Sequence, residues 1–421
     1  MKSYSFKHLK MLEGKFDFHL LLNTERETEV SKRVPHRDFH NVRKVDTHVH
    51  HSACMTQRHL LRFIIDRLDE NSDEIVYKDS SGVEMTISQV FKSLNLTAFD
   101  LSLNTLDMTA NNTFHRFDRF NLKYNPAGQS KLRDVFLKTD NRMGGKYIAD
   151  ITREVMNDLQ SAKYTLVEWR VSIYGRASDE WSKLAKWFYR HKMAHENVRW
   201  LIQVPRLFDS YCKGGNICNF EELLANLFLP LFEATLHPGD NPELDLFLDT
   251  VVGFDSVDDE SKPEFGHLSS GHAALPPPRQ WTTANNPPYG YWLYYMYSNV
   301  CVLNQLRSSR GMSTFQFRPH CGEAGDPEHL VSAYLLAHQV NHGILLRKLP
   351  GLHLLYYLSQ VGIAMSPLSN NRLFLEYDKS PFYKYFKQGL NVSLSSDDPL
   401  MLHFTNDPLV EEYSIATQVH Q

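Results

Sequence analysis

A disulfide framework is missing from this chain. Its five cysteines are an odd number with no C-x-x-C pair. That usage argues for a reducing, cytoplasmic setting in which thiols serve as small apolar packing groups. A charge excess is missing too, with 45 basic residues against 49 acidic. Such a balance leaves no electrostatic footprint for nucleic acid or an anionic membrane, although a local cluster can still hold one small anion. No segment reads as a membrane span: the most apolar one, around Leu223–Phe232, is short and interrupted by Asn226 and Pro230. The opening MKSYSFKHLKMLEG has no apolar core of the signal-peptide kind. Short-period repeats and low-complexity tracts are also lacking, which sets aside solenoids and propellers.

What is present is a succession of short β-branched or aromatic runs, each followed by a helical stretch. The runs are Lys44–His50, Thr165–Ile173, Val198–Pro205, Val251–Val257, Thr314–His320, Val340–Leu346, Gly362–Pro367 and Asn391–Ser396. Amphipathic helices fit between them, as at Asp179–Lys192, Pro327–Ala337 and Ser380–Lys387. Eight such units in one α/β chain predict a closed TIM-type (β/α)8 barrel over residues 44–421 rather than an open sheet. Residues 1–43 read as an extension packing on the barrel's outside. Two connections, His51–Lys163 and Asp258–Ser298, are long enough to be lids or specificity loops. The aromatic run YGYWLYYMY in the second reads as a helix packed on the core rather than a base-stacking platform. After the eighth strand, Pro408–Gln421 reads as the opening of a truncated eighth helix.

A parallel barrel collects its chemistry at the carboxyl ends of its strands, and several chemically able residues close these runs. His48 and His50 stand two apart, so both side chains leave one face of the first strand. In a chain with 21 histidines such a pair is weak evidence alone. His51 points to the other face. His320 ends the fifth run, and Gly322 permits a turn that turns Glu323 toward a bound molecule, either to hold a proton or to orient a histidine. His342 precedes Gly343 and can take a proton from a metal-activated water. Asp397 and Asp398 follow an apolar strand; an adjacent pair is otherwise common in turns and helix caps. One of them can bind a cation while the other reaches the ligand. Three histidines with one carboxylate suit a single zinc ion. Cys321, in their midst, reads as packing.

The strings DTHVHH, FRPHCGEAG, MSPLSNNRLFLEY and SLSSDDP, with FDSVDDES and HFTNDPLVEEYSIA, resemble the AMP deaminase branch of the adenosine/AMP deaminase family from about Phe6 to the end. The resemblance implies a zinc-containing barrel that hydrolyses the 6-amino group of AMP to give IMP and ammonia. It implies one zinc ion held by His48, His50, His320 and Asp397. Glu323 would protonate N1 of the purine, His342 would accept a proton from the water, and Asp398 would orient the water or the leaving amine. It implies substrate contacts from His50, from Arg119, Phe120, Asn121, Leu122, Lys123 and Tyr124, and from Glu323, Asp398, Pro399, Leu400 and Met401. In that segment Arg119 and Lys123 offer charge for a phosphate and Tyr124 a hydrogen bond. Three positions depart from the family: Arg119 stands for a lysine, Met401 for a polar residue and His51 for a small one. The resemblance also suggests a homo-oligomer, and the family's sequence continues past Gln421. Deamination of free adenosine, and a truncated inactive subunit that binds nucleotide, remain open beside this reading.

Overall fold

The computed structural model describes residues 1–79, 81–97, 100–110, 117–264 and 275–419, with the backbone only at 117 and 118. Eight strand positions make the barrel: β1 (Lys44–His50), β2 (Thr165–Ser172), β3 (Val198–Pro205), β4 (Val251–Val257), β5 in two pieces (Gln316–Phe317 and His320–Cys321), β6 (Gln339–His342), β7 (Gly362–Met365) and β8 (Val392–Leu394). All neighbours pair in parallel. The first piece of β5 pairs with β4 and the second with β6, so the broken strand joins two halves. The circle closes where Val49 of β1 bridges Asp397, just beyond β8.

The second, seventh and eighth strands are one to three residues shorter than expected, and the fifth and sixth differ more, for local reasons. Thr314–His320 is not continuous because Pro319 brings no N–H to a ladder, while Arg318 donates its own to Phe254 O at 2.7 Å. The sixth strand stops at His342, because His342 and Gly343 both take left-handed backbone (φ 70 and 58). The apolar Ile344–Leu346 that follows belongs to a 3-10 turn. A hairpin of Ile75–Lys78 and Glu84–Thr86, not foreseen, lies in the first long connection. Of the second long connection, residues 265–274 lie outside the described residues.

Between strands and outer helices lies an aromatic-rich core in which Trp169, Trp181, Trp200 and Trp292 are fully buried. The aromatic run opens the helix Tyr289–Ser309, which buries Tyr289, Trp292, Leu293 and Met296; each such side chain contributes about 1.5–3 kcal/mol. Gly253 is required where β4 meets β5, since a Cβ there would stand 2.4 Å from Gln316 O. The N-terminal helix Lys2–Lys32 docks on the helix Pro350–Ser359, where His8 meets Tyr357, and on the helix Phe382–Gln388 through Phe16 against Phe386 and Asp17 with Lys387. The helix after β8, Pro408–Val419, buries Leu409, Glu412 and Ala416, with Leu409 and Ala416 packed on Leu394 of β8.

Candidate active site

Past a register shift between Asp46 and Val49, β1 sends His48 and His50 toward the barrel interior while Val49 joins the outer core. Asp397 is laced to the same strand: its N–H donates to His48 O at 2.8 Å, and its carbonyl accepts from His50 N at 2.9 Å. This lacing holds Asp397 at φ 60, a costly conformation for a residue other than glycine. Its Oδ1 then stands 3.4 Å from His48 Nε2 and 3.3 Å from His50 Nε2. His320 arrives from β5 with its ring 4.6 Å from that of His48. One donor atom from each of His48, His50, His320 and Asp397 lies within 4.8 Å of all the others.

The imidazoles are aimed from behind. His50 Nδ1 bonds Gln203 Oε1 at 2.7 Å. His320 Nδ1 bonds Asp255 Oδ1 at 2.9 Å, and the same oxygen accepts the His320 backbone N–H. A carboxylate partner makes Nδ1 the protonated nitrogen and leaves the His320 Nε2 lone pair for the cluster. The second oxygen of Asp255 takes Arg170 Nε at 2.6 Å, and Arg170 reaches on to Asn341. Both ring nitrogens of His48, by contrast, are buried with no hydrogen-bond partner. Such an orphaned acceptor is costly unless a cation takes it. The donor set therefore fits a resident metal ion.

Beside the cluster, Glu323 Oε1 lies 3.6 Å from His342 Nε2. Burial, then the charges of Asp397 and Glu260, push the Glu323 carboxyl well above its ordinary range, which favours its protonated form. Burial takes His342 down to about 3, so its ring is neutral. Asp398 accepts from Tyr124 OH at 2.5 Å, and burial together with Asp397 raises it to about 7. The turn carrying Glu323 is itself held. Glu260 accepts the backbone N–H groups of Gly322 and Glu323 (2.9 and 3.2 Å) and pairs with His329 Nδ1 at 3.0 Å. Tyr289 OH donates to His320 O at 2.6 Å. Gly325 allows this closeness, for a Cβ there would collide with Glu260 O.

These groups face a cavity of about 840 Å³ that also takes in Phe120, Asn121 and Tyr124. The remaining expected contacts are not brought to it. Arg119 and Leu122 are exposed. Lys123 Nζ is bonded to Asp107 Oδ1 at 2.5 Å and to its carbonyl at 3.0 Å. Pro399, Leu400 and Met401 are buried in the short helix Pro399–Leu402, where the Met401 carbonyl accepts from Ala110 N. His51 sits among Trp169, Trp187 and Trp200 and bonds Thr152 Oγ1 at 2.8 Å, with its pKa lowered to about 3 by burial. Cys321 is fully buried, and burial pushes its thiol well up. Sequence reading assigns no role to Asp255, Gln203, Arg170 or Glu260. The available signal is the acidic string DSVDDE at the end of β4, since carboxylates there must face the same mouth as the histidines.

A family model described as AMP deaminase matches residues 1–421. AMP deaminase of Saccharomyces cerevisiae is 58% identical over 422 residues, covering 100% of this chain and 51% of the relative. For AMP deaminase of Schizosaccharomyces pombe the figures are 57%, 100% and 50%, and for AMP deaminase 3 of Homo sapiens 53%, 99% and 54%. The chain thus spans about half the length of the curated relatives it matches. Among solved structures, N6-methyl-AMP deaminase of Arabidopsis thaliana aligns with a TM-score of 0.47 at 14% identity, over 90% of this chain and 87% of that one. Adenine deaminase of Arthrobacter aurescens aligns at 0.46 and 14%, over 88% of each. By the full-length family match and these identities, the chain belongs to the AMP deaminase family.

Proposed function

We propose that this chain catalyses zinc-dependent hydrolysis of AMP to IMP and ammonia. One observation carries the reading: a His48–His50–His320–Asp397 donor set whose last three members line one cavity with the Glu323–His342 pair. Family membership supplies the choice of reaction, and imidazoles with one carboxylate suit zinc. Held by His48, His50, His320 and Asp397, the ion would supply Lewis acidity that makes the attacking water more acidic.

The chain's own groups do the rest. Protonated Glu323 donates to N1 of the purine and so draws electrons away from C6. Neutral His342 accepts a proton from the water whose oxygen bonds C6. The C6–N6 bond breaks as the nitrogen gains a proton and leaves as ammonia. Asp398, held by Tyr124, positions the water or the departing amine. Phe120 and Asn121 wall the ligand space, with His50 beside it. The reading includes a cytoplasmic enzyme, supported by its unpaired cysteines, and a homo-oligomer. Among the described residues, no helix is long and apolar enough to cross a membrane.

The experiment is direct: purified chain with added zinc and AMP, followed by IMP appearance and ammonia release. Stoichiometric IMP and ammonia support the proposal. Tight nucleotide binding with one zinc bound and no turnover overturns it in favour of a binding subunit.

A further inference from the structure

We propose that Arg133, rather than Lys123, receives the phosphate of the nucleotide and sets the preference for AMP over adenosine. The proposal rests on the deaminase reading for the identity of the ligand, and on the cavity's own charges for the residue.

A phosphate needs a cation that faces the cavity and is not already neutralised. Lys123 fails on both counts, since it does not line the cavity and its ammonium is bonded to Asp107. The cavity's cations are mostly committed as well. Arg170 belongs to Asp255, Arg206 to Asp258 and Arg176 to Glu180. At the rim, Lys138 pairs with Asp134, Lys213 with Asp209 and Lys262 with Asp259. Among the described residues, Arg133 is the cavity-lining cation with no carboxylate partner.

Its position suits the task. Arg133 lies on the helix Ser130–Leu137 and is half-buried. Its guanidinium stands over the Tyr124 ring, 5.4 Å from the centroid. The hydroxyl of that ring touches Asp398 at 2.5 Å. One tyrosine therefore separates the reacting end of the cavity from a guanidinium that has no carboxylate partner among the described residues, much as a ribose separates the base of AMP from its phosphate. This cation–π contact holds the guanidinium against the ring and leaves its N–H fork for a bidentate bond to phosphate oxygens.

The test compares wild type, Arg133→Ala, Arg133→Lys and Lys123→Ala with AMP and with adenosine. Removing the fork lowers kcat/KM for AMP on the order of 30- to 100-fold. Adenosine turnover changes by less than about 2-fold, because a lost phosphate contact cannot affect it. Arg133→Lys recovers part of the loss, and the salt dependence of KM for AMP shrinks in Arg133→Ala. Equal losses on both substrates would show that Arg133 only props Tyr124, and an unchanged AMP value would show that it does nothing; either overturns the proposal. Calorimetric binding separates this from the deaminase reading. A wild type that binds AMP more tightly than adenosine through Arg133, without turnover, sinks the activity and keeps the phosphate site. A wild type that binds both alike sinks the phosphate site.

Discussion

The strand ends of the barrel and the long connection between β1 and β2 supply the two halves of this site, and they obey different rules. His48, His50, His320 and Asp397 sit on backbone fixed by parallel ladders and by the Val49–Asp397 closure. Their directions follow from pairing across the whole molecule. Arg119, Lys123 and their neighbours lie on or just beyond a six-residue helix, Phe117–Leu122, inside the connection. There a single contact, such as Lys123 with Asp107, decides which way a side chain faces. Charge type at such a position does not reveal whether the charge meets the ligand.

The contrast can be tested from its strongest element downward. Glu323→Gln removes the proton held beside the cluster and is expected to lower kcat by about 10²- to 10⁴-fold. Zinc content should not change, and a parallel loss of zinc would make Glu323 a ligand. Asp255→Asn leaves the four donors in place but disturbs the partner that orients His320; a drop of about 10- to 100-fold in zinc affinity is expected by competition with a chelator. An unaltered affinity would show that strand pairing alone aims the ring.

The scaffold behind these ends also carries a pH signature. His353, in the helix Pro350–Ser359, has its pKa lowered to about 4 by burial, with Lys384 adding to the effect. Between that value and the ordinary 6.5 the unfolded chain binds the extra proton. Stability from this residue is therefore complete above about pH 6.5 and lost as pH falls toward 4, on the order of 3 kcal/mol. Urea midpoints for wild type and His353→Gln should converge over that window; parallel curves would remove His353 from the account. The smallest effect belongs to the connection. Lys123→Ala breaks a surface ion pair and should alter stability by no more than about 0.5 kcal/mol. It should leave the KM for AMP within about 2-fold, as expected for a residue outside the cavity.

The same contrast explains what could be read from the amino acids. The runs Lys44–His50, Val198–Pro205 and Val251–Val257 are strands with those bounds, because turns and apolar content mark buried parallel strands at both ends. The HxH spacing fixes His48 and His50 on one face by period two alone. The break at Pro319 and the stop at His342 were harder, since they depend on where the chain must leave one half-sheet for the other. Glu260 was invisible for a related reason. Its carboxylate works by accepting the N–H groups of Gly322 and Glu323, more than 60 residues away, and no local pattern records such a bond.

Elemental analysis of the purified chain, wild type beside His320→Ala, reaches the central claim most directly. With imidazoles from β1 and β5 and the Asp397 carboxylate closing on one ion, wild type carries one zinc per molecule and the variant carries little or none. Equal zinc in the two proteins would contradict the claim that these strand ends form the metal centre.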